Sequence, residues 1–178
     1  MFPKAHAVAY VMMAFRIAYF KVYYPLAYYA AYFSIRAKAF NYEKMCMGKS
    51  KLESIMREYK KRSDLSPKEQ DEYGDMKIVQ EMYARGYSFV PIDIFKASAY
   101  DFQIVDDKLM PPFCALDGMG GKAAEGIVEA VKDGPFTSRE NFRNRCKVST
   151  TIVDKMGELG LLGDLPLTDQ LSLMDFLN

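Results

Sequence analysis

The feature that most constrains this chain is a cluster of glycines at the start of an amphipathic helix, in ALDGMGGKAAEGIVEAV at residues 115–131. Glycine accepts a positive φ and leaves its backbone amide uncovered by a side chain. Amides at the start of a helix have no acceptor within the helix, and several together can hold an anion. We therefore expect a tight hairpin, with little room for side chains, whose amides hold a phosphate. Its residues are Gly118, Met119, Gly120, Gly121 and Lys122.

Two other phosphate-binding patterns do not fit this stretch. A P-loop would continue from its lysine to Ser or Thr, and Ala123 follows Lys122 here. A dinucleotide-binding fold would place the glycines between a strand and a helix, with an acidic residue further on for the ribose. The stretch fits a helix-hairpin-helix motif, which grips the backbone of nucleic acid without reading its bases. A plain structural turn fits the same residues equally well, so the pattern alone leaves both interpretations open.

Residues 134–162 indicate a second, degenerate hairpin of the same kind. Ser149 or Thr150 can cap a helix that runs to Leu159, and Gly160 can end that helix. Basic residues outnumber the nearby Glu140, and they are Arg139, Arg143, Arg145 and Lys147. Two paired hairpins pack into a small helical domain that straddles a duplex, which favours nucleic-acid binding over a plain turn.

The whole chain predicts a mainly α-helical fold. Pro3 and Pro25 can each start a helix, because proline is tolerated at the first helical position and breaks a helix interior. Two further helices are expected between residues 41 and 86, the second ending at Gly86, and DFQIV and KLMPPF flank an Asp-Asp turn that predicts a short β-hairpin. We expect four regions: a front helical segment at 1–40, a helical connector with the hairpin at 41–113, a tandem helix-hairpin-helix domain at 114–165 and a tail at 166–178.

Charge is distributed unevenly, although the formal net charge is only +1. The first 40 residues carry five Lys or Arg and no acidic residue, whereas the residues from Met156 onward carry four acidic residues and no basic one. A basic front and an acidic rear indicate different partners at the two ends.

The cysteines and the apolar runs limit the class of protein further. Cys46, Cys114 and Cys146 are far apart and His6 is the single histidine, which argues against a zinc site or a disulfide framework and favours a reducing, cytoplasmic compartment. The longest uncharged run at the front, residues 22–35, has 14 residues including Pro25. A spanning helix needs about 20 apolar residues, so we expect no transmembrane helix, but an interfacial helix stays open.

Three stretches follow one another in an order shared with a known family. FPKAHAVAYVMMAFRIAYFKVYYPLAYYAAYF resembles the end of the fingers region of C-family bacterial replicative DNA polymerases, which carries F-x-K-[SA]-H-x-x-A-Y, then A-Y-F/L-K and P. ARGYSFVPIDIFKASAYDFQIVDDKLMPPFCALDGMG resembles the PolC-type branch of that family, and DQLSLMDFL resembles its C-terminal clamp motif, QLSLF. The matching front residues are Phe2, Lys4, His6, Ala9, Tyr10, Tyr19, Lys21 and Pro25.

The resemblance implies the C-terminal part of a PolC-type DNA polymerase III alpha subunit, a DNA-directed DNA polymerase. In this family the palm, with its metal-binding aspartates, lies upstream of these motifs. We therefore expect magnesium in the palm, no cofactor bound by this segment, and no polymerisation by the 178-residue chain alone. The expected partners are duplex DNA, the incoming dNTP and the sliding clamp, and no membrane.

The resemblance also implies residue roles. Lys4, His6, Arg16 and Lys21 are nucleotide-binding candidates near the triphosphate or the template, although solvated cations and a core or capping histidine fit the residues alone. The glycine hairpin would hold duplex phosphates. The tail would enter a pocket on the clamp through Gln170, Leu171, Leu173, Met174 and Phe176. The family has Phe where this chain has Met174, and methionine fills an aromatic pocket only in part.

A function of another class is also compatible with the sequence. The aromatic front could belong to a helical module that docks on a protein or a membrane and has no role with nucleic acid. An independent enzyme is disfavoured, because His6 has no Ser or Cys partner at motif spacing.

Overall fold

The computed structural model describes residues 3–169, and these residues form two compact units. Unit 1 contains residues 3–90 and 101–110, and unit 2 contains residues 91–100 and 111–169. The expected mainly α-helical fold with one short β-hairpin is confirmed.

Unit 1 is built from helices and one β-hairpin. Pro3 is the N-cap residue of the first helix and Pro25 is the first residue of the second, as the proline positions predict. The elements are α1 (Lys4–Tyr23), α2 (Pro25–Ile35), α3 (Tyr42–Met45), α4 (Lys49–Lys61), α5 (Pro67–Ala84), β1 (Gln103–Val105) and β2 (Lys108–Met110).

The start of α5 is fixed by a capping box. The Ser66 hydroxyl accepts from the Glu69 amide, and the Glu69 carboxylate accepts from the Ser66 amide at 2.9 Å. Arg62 adds a hydrogen bond to Glu69 at 2.6 Å. These partners, Arg62 first, lower the pKa of Glu69 to about 2. The short connection between α4 and α5 is therefore held by local polar contacts.

The β-hairpin forms because two aspartates accept left-handed backbone. Asp106 and Asp107 have φ of 48° and 56°, the conformation of a two-residue hairpin turn, and Asp adopts it more readily than most residues. Ile104 pairs with Leu109 in the antiparallel register. Leu109 also bonds through its backbone to Ser88 and Val90, which anchors β2 in unit 1.

The core of unit 1 is largely apolar and includes two buried carboxylates, Glu72 and Asp75. Its fully buried side chains include Tyr29, Met45, Leu52, Met76, Val79, Met82 and Leu109. The Glu72 side chain is only 3% exposed, and it accepts hydrogen bonds from Lys44 Nζ at 2.7 Å and from the Tyr59 hydroxyl. A buried carboxylate needs such partners, because an unpaired buried ion costs on the order of several kcal/mol in desolvation.

Helix α1 has no buried residue and is held at its C-terminal end. Lys21 pairs with Glu81 of α5 at 2.8 Å, and Arg85 donates to the Lys21 carbonyl at 2.9 Å. Phe15 is 72% exposed, and other apolar side chains of α1 are more than half exposed. Within residues 3–169, no helix has the combined length and hydropathy of a bilayer-spanning segment.

Unit 2 packs three short helices around an aromatic core. A 3-10 turn at Phe113–Ala115 precedes α6 (Gly121–Val131), α7 (Arg139–Cys146) and α8 (Thr150–Glu158). Phe136 packs edge-to-face on the fully buried Phe142, with ring centroids 4.9 Å apart. The other fully buried side chains of this unit include Phe113, Ala124, Ile127 and Met156.

The exposed apolar surface of α1 should make the isolated chain associate, because monomers rarely expose large contiguous apolar patches. We expect it to sediment faster than a 20.4 kDa monomer in analytical ultracentrifugation. Phe15→Lys should reduce this association. Leu167→Lys, at a side chain that is also 72% exposed but lies in unit 2, should leave it unchanged. A monodisperse wild-type monomer would contradict the prediction.

Candidate nucleic-acid interface

The glycine loop turns sharply before α6 and leaves its first amides open. Gly118 has φ of +86°, and the Met119 amide bonds back to the Leu116 carbonyl at 3.1 Å. The first amides of α6 to find an acceptor belong to Ala123 and Ala124, which both donate to the Gly120 carbonyl. Among residues 3–169, no side chain caps the start of this helix. The amides of Gly121 and Lys122 therefore remain available to an anion.

The loop is exposed at Gly118, Gly120 and Lys122, is half-buried at Gly121, and buries its one large side chain. That side chain belongs to Met119, which is 8% exposed. Met119 therefore anchors the loop in the core of unit 2 rather than offering a contact of its own. The predicted site residues are brought together, with the backbone and Lys122 facing outward.

The glycines of this stretch serve different purposes. An ideal Cβ at Gly121 would lie 2.5 Å from the Tyr100 hydroxyl, and one at Gly126 would lie 2.6 Å from the backbone carbonyl of Cys146. The expectation of little room at Gly120 is wrong, because no described atom lies within 4 Å of a Cβ there. Gly120 precedes the helix with φ of −81° and ψ of 153°, so a side chain would extend into the space in front of the amides.

Two contacts that the sequence did not reveal hold the loop. Lys155 Nζ of α8 donates to the Asp117 carbonyl at 2.9 Å and lies 3.6 Å from the Asp117 carboxylate. The Tyr100 hydroxyl donates to Glu125 of α6 at 2.8 Å. Both pairs are distant in sequence and carry no motif, so only the folded chain identifies them.

The second hairpin, between α7 and α8, has the predicted cap but a different turn residue. Ser149 is the N-cap of α8, and its hydroxyl accepts from the Ile152 amide at 3.3 Å. The left-handed position is occupied by Lys147, with φ of 55°, where the first hairpin has Gly118. Lys147 is exposed, so this turn presents a cation next to the start of α8.

Most of the arginines near the second hairpin are structural. Arg145 donates to the carbonyls of Ala130, Gly134 and Pro135, which closes the C-terminal end of α6. Arg139 donates to the Leu165 carbonyl and Arg143 to the Thr150 hydroxyl. Among residues 3–169, Lys122 and Lys147 have no ion-pair partner, so these two lysines are the cations best placed for phosphate.

Helix α7 does not offer an open N-terminus. Its first two amides, of Arg139 and Glu140, donate to the carbonyls of Pro166 and Leu167 at 2.8 and 3.1 Å. The chain after α8 therefore crosses the start of α7 and satisfies it. In contrast, the residues at the N-termini of α6 and α8 are largely exposed.

The four nucleotide-binding candidates all lie on α1, but they do not converge. Lys4, His6 and Arg16 are exposed, and Lys21 is half-buried. A helix rises about 1.5 Å per residue, which separates the backbones of Lys4 and Lys21 by about 26 Å. The hydrogen bond from Lys21 to Glu81 raises the pKa of Lys21 and neutralises its charge locally. One triphosphate therefore cannot contact all four residues.

The clamp-binding candidates Gln170, Leu171, Leu173, Met174 and Phe176 lie outside the described residues. Within residues 3–169, no group of three or more His, Cys, Asp or Glu side chains is arranged to hold a metal ion.

One part of the chain is similar to a known family. Residues 86–170 match the family described as helix-hairpin-helix motif, and this range contains both hairpins. The open amides at α6 thus lie in a motif of that class.

The chain as a whole is similar to a segment of PolC-type DNA polymerases. It is 49% identical to the DNA polymerase III PolC-type of Streptococcus suis over 178 residues, 48% identical to that of Streptococcus pneumoniae and 47% identical to that of Streptococcus agalactiae. Each match covers 98% of this chain and 12% of the relative. The chain therefore spans about 12% of the length of these relatives.

Because α6 approaches α7 closely, alanine substitutions at two mid-helix glycines should change the free energy of unfolding in opposite directions. Gly126→Ala should lower the free energy of unfolding by about 1–3 kcal/mol, because the new methyl group meets the Cys146 carbonyl. Gly74→Ala, in α5, meets no described atom within 4 Å and should raise it by up to about 1 kcal/mol through helix propensity. Urea denaturation followed by circular dichroism measures both. Equal stabilisation by both changes would show that α6 can move away from α7.

Proposed function

We propose that this chain is the C-terminal, duplex-binding and clamp-tethering part of a replicative DNA polymerase. The observation that carries the proposal is the open row of amides at the start of α6, within a helix-hairpin-helix match and beside Lys122. Amides and a lysine contact phosphate without reading bases, so binding is independent of sequence. The homology to PolC-type DNA polymerase III supports DNA as the polymer.

The second hairpin extends the same contact. Ser149 leaves the first amides of α8 facing solvent, and Lys147 supplies a cation beside them. Two helix starts along one duplex contact two groups of phosphates, which fixes the register of the protein on DNA. In this assignment residues 114–165 form the duplex-binding region and residues 1–40 the end of the fingers.

The catalytic step belongs to the part of the polymerase outside this segment. Its palm aspartates would hold the magnesium ions that phosphoryl transfer requires. The exposed Lys4, His6 and Arg16 are the front residues best placed to reach a nucleotide or template, whereas Lys21 instead orients α1 through Glu81. Residues 166–178 then reach the sliding clamp.

Gly120→Val should weaken duplex binding by at least about tenfold without unfolding the chain, since a side chain at the N-cap covers the first amides and no described atom lies within 4 Å of a Cβ there. Lys122→Gln should lower the slope of log affinity against log salt by about 0.9. Lys132→Gln, at the other end of α6, is the matched control and should leave the slope unchanged. Fluorescence anisotropy with several duplex sequences measures all three.

Unchanged affinity in Gly120→Val would remove the glycine loop from the interface. Binding to liposomes without any binding to DNA would instead favour the docking module, which the exposed apolar face of α1 supports.

The clamp contact has a separate test. Leu173→Ala combined with Phe176→Ala should abolish binding to the purified sliding clamp in surface plasmon resonance, because a short peptide docks through a few anchors. Met174→Phe should strengthen it by filling the aromatic pocket. Duplex affinity should be the same in all of these variants, and clamp binding that survives the double substitution would contradict the assignment of the tail.

A further inference from the structure

A second cationic surface lies on the α4–α5 pair, although the sequence there is balanced. Residues 49–84 contain as many acidic as basic residues. The acidic side chains of α5 are bound by groups elsewhere in unit 1. Asp71 pairs with Lys38, Glu72 with Lys44 and Glu81 with Lys21, and Asp75 accepts from the Lys38 and Ala39 amides. Apart from Glu69, the acidic side chains of α5 thus bind groups of α1, of α3 and of the connection between α2 and α3.

The other acidic residues of this pair mostly satisfy local cations. Glu53 lies 3.9 Å from Lys49, and Arg62 binds both Asp64 and Glu69. Within the part of the chain that the structure describes, Arg57, Lys60 and Lys77 have no ion-pair partner. These three cations therefore form no direct ion pair, and within residues 3–169 the exposed Glu58 of α4 likewise forms none.

Two of these cations line one cleft, and the third contacts an aromatic ring of its lining. Arg57 and Lys60 of α4, with Tyr73 and Gln80 of α5, line a shallow cleft of about 290 Å³. Lys77 lies one turn from Tyr73, and its Nζ is 4.7 Å from the centre of the Tyr73 ring. This cation–π contact keeps Lys77 beside the cleft rather than free in solvent. The cleft also contains Glu53, whose charge is shared with Lys49.

We infer that this cleft between α4 and α5 binds the phosphodiester backbone of a single nucleic-acid strand. Grooves that bind single strands combine cations along the backbone path with aromatic side chains. Arg57 and Lys60 are one helical turn apart on α4, and Lys77 lies beside Tyr73 on α5, so both helices offer cations to a strand of repeated phosphates. The half-buried Tyr73 and the amide of Gln80 give the strand neutral contacts between the charges.

This site is separate from the glycine loop of unit 2. A single strand suits it better than a duplex, because the cleft is lined by side chains from two helices only and has no open helix start. An acidic peptide would also meet the charge requirement. Such a peptide lacks the regular phosphate spacing of a nucleic-acid strand. Polyglutamate therefore serves as the competitor in the test.

The test compares two double variants of the full 178-residue chain. Arg57→Gln with Lys60→Gln removes two cations from the cleft, and Lys51→Gln with Lys61→Gln removes two exposed cations of α4 that do not line it. Anisotropy is measured with a labelled oligothymidine and with a labelled duplex over a range of salt. Circular dichroism confirms that both variants fold.

The cleft variant should bind oligothymidine more weakly by on the order of tenfold, with a salt slope lower by about 1.4, and the control should change little. If both variants lost the same affinity for oligothymidine, the effect would depend only on overall charge, and the inference would be overturned. Loss of duplex binding alone, or equal competition by polyglutamate, would overturn it as well. Gly120→Val separates the two proposals, since it should weaken duplex binding and leave oligothymidine binding at the cleft intact.

Discussion

The close backbone contact between α6 and α7 is the constraint on which the candidate interface depends. Gly126 has no side chain, so α6 can approach the Cys146 carbonyl, and α8 then lies where Lys155 can bond to Asp117. The glycine loop is thereby held from both of its sides. A loop fixed in this way offers its amides in one arrangement, so little conformational entropy is lost when an anion binds.

Unit 1 illustrates a related use of polar contacts. Glu72 and Asp75 are buried, and each is satisfied by groups from neighbouring elements, Lys44 and Tyr59 in one case and two backbone amides in the other. These bonds fix α5 against α3, α4 and the chain between α2 and α3. They also decide which charges remain outside, since a carboxylate used in the interior cannot neutralise a lysine on the surface. Near-zero net charge therefore coexists with a local excess of cations.

Local signals in the sequence predicted the fold well. The proline starts of α1 and α2, the Ser149 cap and the Asp106–Asp107 turn all depend on one or two residues acting on their own backbone. The site could be predicted only in part. The sequence marks Gly118 to Lys122, but the roles of Tyr100, Lys155 and Arg145 follow from contacts across many residues. Gly120 and Gly121 look alike in sequence, and only the position of Tyr100 separates them.

The chemistry of the loop explains why few cations suffice at the interface. Three arginines that charge counting assigned to DNA are instead bound to carbonyl and hydroxyl groups of unit 2. Backbone amides replace them as donors, and an amide has no charge to be screened by salt. Each amide still gains from the partial positive charge at a helix start, which favours anions there. Under the proposed function, a surface of this kind would hold a duplex through geometry as much as through charge, and movement along DNA would require the same contacts at each step and no particular base.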